Sequence, residues 1–136
     1  MSETSPASVK MTRVVPSVFV ADVERAVDFY VNHLGFELSY RHDDPTCDMA
    51  ILEWDDVEIH INTCACDDRR HVGNSYFEVR VDNAPALFAR YKEAGIPFRW
   101  ALRPQPWGLT DFTIIDPEGN WVSFAGPADE SDDDGT

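Results

Sequence analysis

Val18-Phe19-Val20-Ala21-Asp22-Val23-Glu24-Arg25-Ala26-Val27-Asp28-Phe29-Tyr30 changes its side-chain period halfway along. With Val14, Val15, Pro16 and Ser17 before it, the first part is rich in β-branched residues and predicts a strand over 14–20. Pro16 has no N–H for a neighbouring strand, which suits an edge. From Asp22 the apolar spacing becomes helical, with Val23, Ala26, Val27, Tyr30, Val31 and Leu34 on one face. Asp22 can cap the first turn and Gly35 can close the last in a left-handed conformation, so a helix is expected over 23–34.

Outward from this stretch, Phe36 to Tyr40 resumes a strand pattern and Asp43-Asp44-Pro45 is a turn. Met49 to Trp54 and Val57 to Ile61 then read as two strands joined at Asp55-Asp56. The order is β-α-β-β-β. After a polar stretch from Thr63 to Asn74 it begins again: a strand at 76–81, a cap at Asp82, a helix carrying Leu87, Phe88, Tyr91 and Ala94, and Gly95. Strands at 98–101, 112–115 and 121–124 complete it. An offset of 60 places Asp22 over Asp82, Ala26 over Ala86, Gly35 over Gly95 and Leu38 over Phe98, which is an internal duplication. One helix cannot cover both faces of its own strands, so the modules are expected to pack side by side or swap with a second chain.

Alternation assigns the faces. Val14, Val18, Val20, Val57, Ile59, Ile61, Phe77, Val79 and Val81 are expected under the helices. That leaves Val15, Ser17, Phe19, Glu58, His60, Asn62, Tyr76, Glu78 and Arg80 on the opposite, semi-polar face, which a curved sheet turns into a cleft.

The chain has 136 residues, 43% of them apolar and 12% aromatic, enough for one domain with its own core. Its net charge is −14, and Asp129, Glu130, Asp132, Asp133 and Asp134 supply five of the negatives, leaving −9 on the rest. An acidic body repels nucleic acid and anionic lipid and attracts cations, so no nucleic-acid or membrane partner is expected. No apolar run approaches the roughly 20 residues needed to cross a bilayer, and the polar start has no hydrophobic signal region. Three cysteines, an odd number, fit a reducing compartment, and the expected location is the cytoplasm.

Residues 18–30, Leu34-Gly35-Phe36, Ala94-Gly95-Ile96, Trp107-Gly108 and Asp116-Pro117-Glu118-Gly119-Asn120 together resemble the vicinal-oxygen-chelate superfamily. That superfamily includes glyoxalase I, extradiol dioxygenases, fosfomycin-resistance enzymes and bleomycin-resistance proteins. The resemblance covers about residues 12–126 and implies an α+β fold of two βαβββ modules, about 12–62 and 75–126, forming a cupped mixed sheet with helices on its convex side. Residues 1–11 and 127–136 are then a flexible N-terminus and a disordered acidic tail. Metal-using members place one ligand on each of four strands, positions that fall here at about Val15, His60, Tyr76 and Ser123. Only His60 is a competent ligand, so the departure argues against glyoxalase or dioxygenase chemistry. Trp107-Gly108 resembles the bleomycin-resistance branch, which implies a homodimer that sequesters a drug without a metal or other cofactor.

Phe19, Glu58, His60, Tyr76, Trp107, Trp121 and Ser123 are the candidate ligand-binding residues. Aromatic rings offer large contact area at low entropic cost. Trp121 shares a face with Ser123, and Trp107 sits in a Pro-rich rim loop; Trp54 and Trp100 weigh more toward core or interface. Glu58 and Glu78 either meet a cationic ligand or pair within the protein, Glu78 with Arg80, and His60 either binds ligand or bonds a carboxylate. Cys64, Cys66 and His71 lack the usual zinc spacing, and Cys47 has no evident partner for thiol chemistry. Asp116-Pro117-Glu118-Gly119 reads as a tight turn. The expected protein is a small-molecule binder, the ligand an aromatic or cationic antibiotic; the alternatives are a divalent-metal lyase, isomerase or dioxygenase, or a dimeric interaction module.

Overall fold

A computed structural model describes residues 8–44, 47–63 and 72–128. Cys64, Cys66, His71 and the acidic residues from Asp129 onward lie outside the described residues, as does the Cys47 side chain. The elements run β1 (Ser17–Phe19), α1 (Val23–Asp28), a π-helical continuation (Phe29–Leu34), β2 (Glu37–Asp44), β3 (Cys47–Trp54) and β4 (Val57–Asn62). The second module follows with β5 (Tyr76–Arg80), α2 (Ala84–Glu93), β6 (Phe98–Pro104), β7 (Leu109–Ile115) and β8 (Trp121–Pro127). Two four-stranded sheets result, ordered β1-β4-β3-β2 and β5-β8-β7-β6. In each, the first and last strands of the module pair in parallel and the others are antiparallel. This is the α+β, twice-repeated βαβββ architecture that the sequence predicts.

The period change at Asp22 does what its chemistry requires. Val18 and Val20 are buried, the Asp22 side chain accepts from the Arg25 N–H, α1 packs on β3 and β4, and Val23, Ala26, Tyr30 and Leu34 are all buried. Burying a side chain such as Leu34 or Leu52 contributes about 1.5–3 kcal/mol. The α2 face, with Ala84, Leu87 and Tyr91 buried, covers β6, β7 and β8.

β1 is shorter than expected. Its ladder begins at Ser17 opposite His60, and Val14, expected under the helix, is 93% exposed. The reason is Pro16: its carbonyl accepts from the His60 N–H, and the ring leaves no N–H to carry the ladder back toward Val14. At the other end β8 runs through Pro127, three residues beyond the strand expected over 121–124.

The second cap is Asn83, not Asp82, with its side chain accepting from the Ala86 N–H. A cap at Asp82 would put Pro85 three residues on, where an N–H is needed and proline has none. The offset between modules is therefore 61 from β1 to the helix cap, 60 at the closing glycine and 63 between β4 and β8. The extra residue of the first helix is absorbed in its wide last turn, where the Gly35 N–H reaches the Tyr30 carbonyl five residues back.

The modules meet where β1 passes the start of β5, with the Gly73 N–H donating to the Phe19 carbonyl at 3.3 Å and the Phe19 N–H to Ser75 Oγ at 3.4 Å. Behind that seam, Tyr91 donates to the Leu34 carbonyl at 2.7 Å and Tyr30 to the buried Asp116 at 2.9 Å. Desolvation and the Asp116 carboxylate together push the Tyr30 hydroxyl well above its ordinary pKa, so it stays a donor.

Candidate functional site

The face of the second sheet opposite α2 is an aromatic shelf. Pairing of β5, β8, β7 and β6 lines up Tyr76 with Trp121, Glu78 with Ser123 and Thr113, and Thr113 with Trp100. Trp121 is the centre: Tyr76 meets it edge-on at 5.9 Å and Trp100 at 5.5 Å. Between the rings, Thr113 and Ser123 share a 2.6 Å hydroxyl hydrogen bond and Ser123 donates to the Tyr76 hydroxyl at 3.3 Å.

Trp100 reaches this shelf through a bulge. Phe98 pairs with Ile114, both toward α2, and simple alternation would send Trp100 the same way. Instead Trp100 pairs with Thr113, so β6 holds one extra residue, Arg99, and the following side chain changes face. A second irregularity does the same before Arg103, which pairs with Asp111. The Arg99 guanidinium lies over Trp100 at 4.5 Å and over Trp121 at 5.0 Å, and Arg103 lies over Trp100 at 4.7 Å.

On the first sheet Glu37, Glu53 and Glu58 stand in register, and of these Glu58 is the one with ion pairs among the described residues. Glu58 is bonded to Arg13 at 2.6 Å and lies 2.8 Å from His60 Nε2. The His60 hydrogen bond, followed by Arg13, holds its carboxyl below the usual carboxylate range. Glu78 is paired with Arg80 at 2.7 Å. Glu58, His60 and Glu78 are thus each paired within the protein.

Phe19 and Tyr76 share a hollow of about 260 Å³ at the seam, with Pro16, Ser17, Asn74, Ser75 and Phe77 around it. Trp107 stands apart on the β6–β7 turn, 67% exposed and without a ring partner among the described residues. A larger cleft of about 420 Å³ lies elsewhere, between the β3–β4 turn and the start of α2, lined by Trp54, Val57, Val79 and Leu87 among others. Trp54 belongs to it and to the core beside Phe36, with Arg90 over its ring.

The four positions that metal-using relatives would fill do not form a donor set. Val15 is an alkyl chain, His60 is taken by Glu58, and Tyr76 and Ser123 are hydroxyls bonded to each other. Among the described residues no three His, Cys, Asp or Glu side chains are grouped to hold an ion. A divalent cation requires three or four strong donors, and these residues do not fit it. What the sequence reading missed is Trp100, Arg99 and Arg103; the signal was hidden because a bulge breaks the alternation on which face assignment relies.

Comparison with known proteins finds the same fold elsewhere. A bleomycin resistance protein of Geobacillus stearothermophilus is 26% identical over 130 residues, 84% of this chain and 96% of that one. The crystal structure of the bleomycin-binding protein of bleomycin-producing Streptomyces verticillus, complexed with copper(II)-bleomycin, is 26% identical with a TM-score of 0.71, over 88% of this chain and 98% of that one. A superfamily member from Sphaerobacter thermophilus DSM 20745 shares the fold at a TM-score of 0.74 and 24% identity, over 85% of this chain and 98% of that one. A family model matches residues 10–124, and the chain belongs to the Glyoxalase/Bleomycin resistance protein/Dioxygenase superfamily.

Proposed function

We propose that this protein captures a small aromatic antibiotic or a chemically related molecule and holds it without converting it. The observation that carries the reading is the shelf of Trp100, Trp121 and Tyr76 around the Thr113–Ser123 hydroxyl pair. Flat rings bind flat ligands with little loss of side-chain freedom, and the hydroxyls can orient them. The donor set at the family's metal positions supports binding without a metal. The likeness to bleomycin resistance proteins supports an antibiotic as the ligand.

The shelf is one wall of a cleft, with Tyr76 59% exposed, and a second copy of the chain would complete it. The protein acts as a cytosolic homodimer in this reading, the first sheet of one copy facing the second sheet of the other. No described helix is long and apolar enough to cross a membrane.

Calorimetric titration with copper(II)-bleomycin and with planar polyketide antibiotics tests it. The expected result is saturable binding by at least one compound, weakened about tenfold or more in Trp121→Ala, since stacking on an aromatic ring contributes on the order of 1–3 kcal/mol. Equal affinity of Trp121→Ala and wild type for every ligand found would remove the shelf from the site. A tightly held divalent ion at about one per purified chain would favour the lyase or dioxygenase alternative. A monomer by light scattering would remove the second copy.

A further inference from the structure

We propose that the ligand of this cleft carries an anionic group beside its aromatic ring, and that Arg99 is the residue that selects it. This rests on the aromatic shelf being the binding surface. The guanidinium lies over both tryptophans that form it, 4.5 Å from the centre of Trp100 and 5.0 Å from Trp121. Those two rings stand at 70° to each other, so the exposed guanidinium leans on both without lying flat on both, and a carboxylate or sulfonate can take two of its outward N–H groups.

Three arginines line this face, and their partners differ. Arg80 is paired with Glu78 at 2.7 Å, and Arg103 has Asp111 at 3.7 Å. Arg99 has no carboxylate within ion-pair distance among the described residues, in a chain with 25 acidic side chains against 11 basic ones. Its position is also special: Arg99 is the extra residue of the β6 bulge, so the same irregularity that turns Trp100 to the cleft sets Arg99 beside it. On the opposite sheet the Glu58 carboxylate is already bound to Arg13 and His60, and Glu53 and Glu37 stand in register with it without an ion pair among the described residues, so Arg99 is a local positive charge in a strongly negative protein. An aromatic anion satisfies the rings and the cation together, whereas an aromatic cation would meet Arg99 as a like charge. The long-range repulsion of anions by the body is screened at physiological salt over about 8 Å, a distance at which the direct contact is little affected.

Three probes that share one ring system and differ only in charge test this: 2-naphthoate, 2-naphthamide and 2-(aminomethyl)naphthalene, titrated calorimetrically into the full chain. The expected order is naphthoate tightest by about tenfold over the amide, with the amine weakest. Arg99→Gln should bring naphthoate to the affinity that the amide has for the same variant, while Arg99→Lys should keep part of the preference. If the amide or the amine binds as tightly as naphthoate, or Arg99→Gln leaves the preference intact, the assignment of Arg99 is overturned and the cleft stands. If none of the three binds, and copper(II)-bleomycin and the planar polyketides do not bind either, the cleft reading fails and this inference with it. If Arg99→Gln alters the oligomeric state and not the affinity ratio, Arg99 is an interface residue and the inference is wrong.

Discussion

Asp116 and Glu118 show how much two residues inside one turn can carry. Asp116, 3% exposed, accepts from the Tyr30 hydroxyl, the backbone N–H groups of Glu118 and Asn120, and the Asn120 amide, so its buried charge is fully hydrogen-bonded. The turn at 116–119 was legible in the sequence because proline and glycine announce it, but its acids looked like mere turn residues; their partners lie 86 and 96 residues away, beyond any local pattern. Glu58 is a second carboxylate whose surroundings decide its role. Its folded pKa is lowered, first by the His60 hydrogen bond and then by Arg13, so on acidification the unfolded chain takes up the proton first. The stability it contributes is therefore present above the ordinary carboxylate pKa and is lost as the pH falls through the lower folded value. Urea midpoints measured from about pH 7 down to about pH 3 should fall more steeply in wild type than in Glu58→Gln. Equal slopes would mean that Arg13 and His60 do not hold this carboxylate in solution.

At the scale of elements, what depended on period was visible apart from the start of β1, where Val14 is exposed, and what depended on an inserted residue was not. The switch at Asp22, the hairpin turn at Asp55-Asp56 and the Gly35 and Gly95 closures all follow from local chemistry. The π-helical turn after α1 and the bulges of β6 each insert a residue without leaving a local signature, so the offset is not a fixed 60, and nothing in the sequence set Trp100, weighed there toward core or interface, beside Trp121. β8 offers a further case. A Cβ on Gly126 would stand 2.6 Å from the Val81 carbonyl oxygen and 3.4 Å from the Ala84 N, both backbone atoms with little room to yield. Glycine is needed there because the chain leaving β5 crosses close over β8 on its way into α2. Gly126→Ala should lower unfolding free energy by about 1–3 kcal/mol in denaturant titration, as overpacking does. An unchanged midpoint would show that the crossing is looser than described.

For the whole molecule, the question is what makes two similar modules one body. Each has its own helix and sheet, and duplication alone would permit them to be independent; the duplication was legible, but the contacts between its copies were not. They are of two kinds. One is apolar and aromatic, where Phe36 and Trp54 of the first module face Arg90 and Leu87 of the second. The other is a polar clasp: the Glu118 carboxylate accepts from the N–H groups of Ala21 and Asp22, both at 2.9 Å, with Arg25 at 3.3 Å. The clasp thus grips the start of α1, where backbone N–H groups have no partner inside the helix and the helix dipole favours a negative charge. It also fixes how β1 enters the seam, and so the placement of Phe19 beside Tyr76. Removing the carboxylate should therefore weaken the union of the modules rather than the fold of either. Glu118→Ala should lower the unfolding free energy by about 2 kcal/mol, because two charge-assisted hydrogen bonds pass to water, and Glu118→Gln, which keeps an acceptor, should lose less. Hydrogen exchange gives the sharper readout: amides of β1 and β5 should lose protection in Glu118→Ala while those of β3 and β7 keep theirs. Uniform loss across both sheets would instead mean that the turn supports the second module as a whole, and that the two halves are joined chiefly by their apolar contacts.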